Sequence, residues 1–77
     1  MTIKIKQKYI HNKTKNIYEI IAIGKNSETL EDMVVYQGLY NSKEFGNNPI
    51  WIRPIKIFEE KIILNGKEVN RFEPITN

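Results

Sequence analysis

Cysteine is absent from this 77-residue chain. That removes disulfide bonds, thiolate metal sites and thiol nucleophiles together. Histidine occurs once, at His11, so a histidine-rich metal centre is excluded as well. Arginine is scarce: Arg53 and Arg71 are the two arginines among twelve basic residues. Where a phosphate or carboxylate is gripped by two parallel bonds, arginine's planar fork is not interchangeable with lysine. These two positions therefore carry more information than the lysines do. No apolar run approaches the ~20 residues that cross a bilayer. The N-terminus alternates charged with apolar residues, whereas a signal peptide presents an unbroken apolar segment. The expectation is a soluble, cytoplasmic chain with no membrane role. No phosphate loop, dinucleotide fingerprint or calcium loop occurs, and neither a cofactor nor a metal is expected.

What is present fits one small domain spanning residues 1–77, with a net stability of only a few kcal/mol, about 5. A domain of this size without covalent staples relies on a compact core or on association with further copies, so a homo-oligomer stays open. The net charge of +3 is unevenly spread. Residues 1–16 hold Lys4, Lys6, Lys8, Lys13 and Lys15 and no acid, while the remainder sums to −2. A basic arm of this kind either steers polyanions toward the domain or marks an edge strand guarded by lysines against stray sheet pairing.

Short runs of period two dominate. Residues 2–11 alternate, with Ile3, Ile5, Gln7, Tyr9 and His11 on one face, and read as a basic strand. Ile17–Ile23 is too short for a helix and rich in β-branched residues. Met33–Tyr40 carries bulk on both faces and reads as the central strand. Gly38 inside it signals a bulge or the close approach of a side chain or ligand. Between these two strands, Lys25–Asp32 is a connection in which Ser27 or Thr29 suits a cap. Residues 41–49 read as a mobile loop, with Phe45 able to anchor it. Ile50–Arg53 follows as a strand, with Ile50 and Ile52 directed inward and Trp51 and Arg53 outward. Pro54 stops it and opens at most one short helical turn, with Ile55, Phe58 and Ile62 on the core. Asn65-Gly66 sits between two alternating runs and marks a hairpin over residues 61–72. Five or six short strands and so little helix predict a mainly β fold, best described as a small SH3-like antiparallel barrel.

Three blocks along the chain resemble those of a short bacterial family, the domain of unknown function 1653. The first is Tyr9-Ile-His11-Asn-Lys13 with Tyr18-Glu-Ile-Ile. The second is Ser27-Glu28-Thr29 with Val34-Val35-Tyr36-Gln37-Gly38-Leu39-Tyr40. The third is Trp51-Ile-Arg53-Pro54 with Phe58-Glu-Glu60, and Arg71-Phe72 near the end. Asn26 stands where the family often has histidine, Thr14 stands where it often has glycine, and the loop over residues 41–48 is longer. The resemblance supports the fold and the set of residues to consider; it implies no reaction.

The residues able to hold a ligand are Tyr9, His11, Glu28, Tyr36, Trp51, Arg53 and Arg71, with Tyr18 and Tyr40 beside them. Aromatic rings stack on a base, and arginine grips a phosphate. The leading expectation is a non-enzymatic binding module for a nucleotide-like ligand or single-stranded nucleic acid. In this reading Tyr36, Trp51 and Arg53 line a groove near Ser27-Glu28-Thr29. Set against it, the aromatics are core and Arg53 pairs with Glu28 or Glu60. A second reading is a regulatory module that docks a protein partner, with no nucleic-acid role. A third groups His11, Ser27 and Glu28 as a small hydrolase, although no nucleophile-elbow motif surrounds Ser27. No catalytic residue is assigned.

Overall fold

A computed structural model describes residues 3–75. In chain order the elements are β1 (Lys8–His11), β2 (Ile17–Lys25), β3 (Asp32–Gly38), β4 (Asn41–Ser42), β5 (Gly46–Asn47), β6 (Ile50–Pro54), α1 (Ile55–Phe58), β7 (Lys61–Leu64), β8 (Lys67–Asn70) and β9 (Phe72–Pro74). The fold is mainly β, as the alternating runs predict. One antiparallel sheet has the order β6-β3-β2-β1-β9, and β4-β5 and β7-β8 are separate hairpins. The expected barrel does not close by hydrogen bonding. Strands β6 and β9 end the sheet and do not pair with each other.

The basic N-terminal strand is shorter than its alternation suggests. Its first residue, Thr2, lies outside the described residues. Lys6 takes φ 73, and Gln7 N–H donates to the Lys4 carbonyl at 3.1 Å. That turn breaks the period-two path, leaves Ile5 57% exposed and confines the strand to Lys8–His11. Nor is β1 an edge. It is paired on both sides, to β2 and β9, so its lysines do not guard a free edge.

The connection between β2 and β3 holds a single α-type turn, in which Leu30 N–H donates to the Asn26 carbonyl at 2.7 Å. The Asn26 side chain accepts the backbone N–H groups of Glu28 and Thr29 at 2.9 and 3.4 Å, an Asx-type turn. The cap comes from Asn26, not from Ser27 or Thr29. A bulge sits in β2 between Ile20 and Ala22, and bends the strand where it crosses β3. Gly38 marks no bulge; it marks a close approach. A Cβ there would lie 2.4 Å from the Tyr40 ring. Residues 41–49 contain the β4–β5 hairpin, and Phe45 packs edge-on against Trp51 at 5.1 Å.

Register overturns the expected orientation of β6. Val34 pairs with Arg53 and Tyr36 with Trp51, so all four point to the core face. Ile50 and Ile52 pair with Gln37 and Val35 on the other face and are 59% and 66% exposed. Isoleucine is the more apolar residue, but β3 is buried through Val34 and Tyr36 and imposes its own face on its neighbour. The helix after Pro54 is one turn, with Ile55 and Phe58 buried and Ile62 half-buried. Asn65 and Gly66 both take positive φ, 54 and 78, as a type I′ turn requires. The hairpin strands stop at Asn70, and Phe72–Pro74 leaves it to pair with β1.

The buried core is Tyr9, Tyr18, Ile20, Val34, Tyr36, Ile55, Phe58 and Phe72. Phe58 and Phe72 stack at 4.2 Å with their planes 5° apart. Tyr9, Tyr18 and Tyr36 meet them edge to face at 5.2–5.5 Å. A small β domain thereby buries much area with few side chains.

Gly38→Ala should destabilise the fold by about 1–3 kcal/mol, because the Tyr40 ring must leave its hydrogen bond with the Tyr18 hydroxyl (3.3 Å). Urea denaturation checks this. Combining the change with Tyr40→Ala should recover most of the loss.

Candidate functional site

Two hollows open beside the aromatic core. They share the Phe72 ring as a wall and differ in chemistry. The one that gathers the predicted ligand-binding residues has a volume of about 180 Å³ and is lined by His11, Thr14, Tyr18, Tyr36, Trp51, Arg53 and Phe72. Strand pairing explains the gathering. Trp51 and Arg53 are two residues apart on β6, so both face the core side. Tyr36 lies opposite Trp51 on β3, and Tyr18 on β2 meets the Tyr36 ring at 5.4 Å. His11 ends β1 opposite Phe72 of β9, with the two rings 4.9 Å apart, edge to face.

Each polar group in this pocket offers a donor or stays neutral. Arg53 holds its guanidinium carbon 6.0 Å from the centre of the Phe72 ring, a cation–π contact. Among the described residues Arg53 makes no ion pair. Glu60, one of its expected partners, is 3.5 Å from Arg71 instead. The Trp51 indole Nε1–H is buried with no acceptor, and so is the Nε–H of Arg71. Leaving such a donor unpaired costs about 1–3 kcal/mol. No carboxylate lines the pocket.

His11 is fixed by its own turn. Its Nδ1 accepts the backbone N–H of Lys13 at 3.2 Å and of Thr14 at 3.4 Å. The proton of the neutral ring therefore sits on Nε2, which is left to donate. Burial lowers the His11 pKa, and the positive charges of Arg71, Arg53 and Lys13 lower it further. Burial raises the pKa of Tyr36, partly offset by Arg53. Burial and the hydrogen bond with the Tyr40 hydroxyl raise that of Tyr18 well above its ordinary value. Both phenols thus remain protonated at neutral pH, and the pocket carries positive charge only.

The other predicted residues lie elsewhere. Tyr9 lines the second hollow. Arg71 does not line the pocket but is close enough for its charge to act on His11 and Tyr36. Glu28 sits exposed in the β2–β3 turn and does not line the pocket, so the groove is not formed near Ser27-Glu28-Thr29. Strand β2 separates that turn from the one that follows β1. The ten steps from Ile17 to Ser27 span about 30 Å at ~3.3 Å each, so His11, Ser27 and Glu28 do not meet as a triad. Among the described residues no group of three or more His, Cys, Asp or Glu side chains converges on a point that would suit a metal ion. No helix is long and apolar enough to cross a membrane. Sequence reasoning missed Thr14 and Phe72 as lining residues. Phe72 was nonetheless signalled by its place beside Arg71 in the third sequence block.

The His11 pKa carries a sign for stability. In the fold it lies below its ordinary value of 6.5, so between the two values the unfolded chain binds more protons than the native one. Stability is therefore full above about pH 6.5 and falls as pH drops toward the folded pKa. Denaturation midpoints from pH 7.5 to 5 should decline in the wild type, and His11→Gln should remove that part of the slope.

A family model described as Protein of unknown function (DUF1653) matches residues 7–74, nearly the whole chain, and the chain belongs to this family. No curated protein and no solved structure matches it.

Proposed function

We propose that this DUF1653 member is a non-enzymatic binding module that takes an anionic, ring-bearing ligand of nucleotide type into the Trp51–Arg53 pocket. One observation carries the reading: Trp51, whose buried Nε1–H has no acceptor among the described residues, and Arg53, which makes no ion pair among them, line one pocket with no carboxylate on its walls. An acceptor brought by a ligand would satisfy the indole once the Trp51 side chain shifts to uncover it, and the guanidinium would hold the ligand's charge. At about 180 Å³ the pocket is smaller than the 300–1,000 Å³ of sites that enclose a whole drug-sized ligand. It suits one base or one phosphoryl group. The remainder of a nucleotide or of a single strand would then cross the mouth, where Thr14 lies between Lys13 and Lys15. Lysines so placed would serve a phosphate backbone.

The partner-docking reading draws on another surface. Ile50 and Ile52 stand exposed on β6, whose outer edge has no strand partner among the described residues. An exposed apolar edge is a template for another chain.

Thermal denaturation at low salt with mononucleotides, cyclic nucleotides and short oligonucleotides separates the two readings. A ligand at 100 times its Kd adds about 2.7 kcal/mol, which in a domain this small raises Tm by roughly ten degrees or more. Arg53→Lys should abolish the shift, because the charge remains while the fork is lost. Trp51→Ala should abolish it too, with the fold retained. A flat panel, with a self-associating protein that Ile52→Lys renders monomeric, would replace this reading with the docking one.

A further inference from the structure

The second hollow is independent of the anion pocket and opposite to it in character. It encloses about 300 Å³, with walls from Ile3, Tyr9, Phe58, Phe72 and Pro74 and polar groups from Glu59 and Asn70. No basic side chain lines it. Glu59 makes no ion pair among the described residues, and its ionised carboxylate only accepts. The Asn70 side-chain nitrogen donates to Glu73 Oε1 at 3.2 Å, which leaves its amide oxygen as an acceptor. Tyr9 contributes a hydroxyl that burial and the nearby Glu59 charge hold in the protonated form. Three oxygen-bearing groups, the Glu59 carboxylate, the Asn70 amide and the Tyr9 hydroxyl, therefore accompany the apolar walls.

We propose that this hollow is a binding site for a primary ammonium group carried on an apolar chain. An ammonium of this type has three donors and no acceptor, which matches three oxygen-bearing groups. A run of methylene groups would cover Ile3 and Pro74, as lysine stems cover apolar surface elsewhere. The same chemistry comes from a free alkylamine or from a lysine side chain of a polypeptide. A ligand for this hollow and one for the arginine pocket would bind independently, since only the Phe72 ring is common to both.

Nitrogen-15 NMR of the full chain tests this at neutral pH. The probes are pentylammonium chloride and a blocked tripeptide with central lysine, each compared with sodium chloride at equal ionic strength. Saturable shifts are expected at the amides of Tyr9, Glu59 and Asn70, while the Trp51 indole and the Arg53 amide stay in place. Glu59→Gln, a change at an exposed position, should weaken binding about fivefold and leave the rest of the spectrum unaltered. Tighter binding of pentylammonium assigns the site to free amines; tighter binding of the tripeptide assigns it to lysine side chains. Shifts no larger than those with sodium chloride would overturn the proposal, and so would unchanged affinity in Glu59→Gln.

Discussion

Phe72 is the contact on which both the core and the pocket depend. Its ring stacks on Phe58, receives the edges of Tyr18, Tyr36 and His11, and lies under the Arg53 guanidinium. It reaches that position through β9, a three-residue strand that pairs with β1 from the other end of the chain. The constraint is topological. The chain must bring its last strand back to its first before the aromatic cluster is complete. Without that pairing the sheet would present Tyr18 and Tyr36 to water, and His11 would have no ring to pack against. Burial of five aromatic rings then supplies much of the driving force that a chain without disulfides needs.

The same geometry explains why the pocket is electropositive. Strand β6 lies at the edge of the sheet, so its core-facing side chains meet β3 on one side and open space on the other. Phe45 from the β4–β5 hairpin packs against the Trp51 ring, while Arg53 makes no ion pair among the described residues. Proteins normally pair buried donors. The exceptions here are the Trp51 indole, from a residue that lines the pocket, and the Arg71 Nε–H, from one that does not. Stability alone would favour an internal acceptor at this place, and a carboxylate would serve. The chain instead directs Glu60 to Arg71 and, among the described residues, leaves Arg53 without a counter-charge. Arg53 is thus available to an acceptor from outside.

Much of this could be read in the sequence, and the limits have physical causes. The hairpin at Asn65-Gly66 and the turn of helix after Pro54 follow from local backbone preference, so they were visible without tertiary information. The pairing of Trp51 with Arg53 on one face follows from the period of a strand. The direction of that face does not. It depends on register with β3, which places Ile50 and Ile52 in water against their hydrophobic rank. Likewise the break at Lys6 leaves no mark, because lysine has no special preference for positive φ. Glu28 looked close to the aromatic residues along the chain, yet β2 carries its turn to the opposite end. His11 as a fixed donor was also out of reach, because its tautomer is set by two backbone contacts within the following turn.

The Trp51 indole proton offers the most direct test of the central idea, that this pocket awaits an acceptor from an anionic ring-bearing ligand. Its NMR resonance should be followed while adenosine monophosphate is added. The account predicts a progressive downfield shift and slowed exchange with solvent as the indole gains an acceptor, and no such change in Arg53→Lys. Binding of the nucleotide with the indole resonance unmoved would contradict it, as would the same shift in the lysine variant.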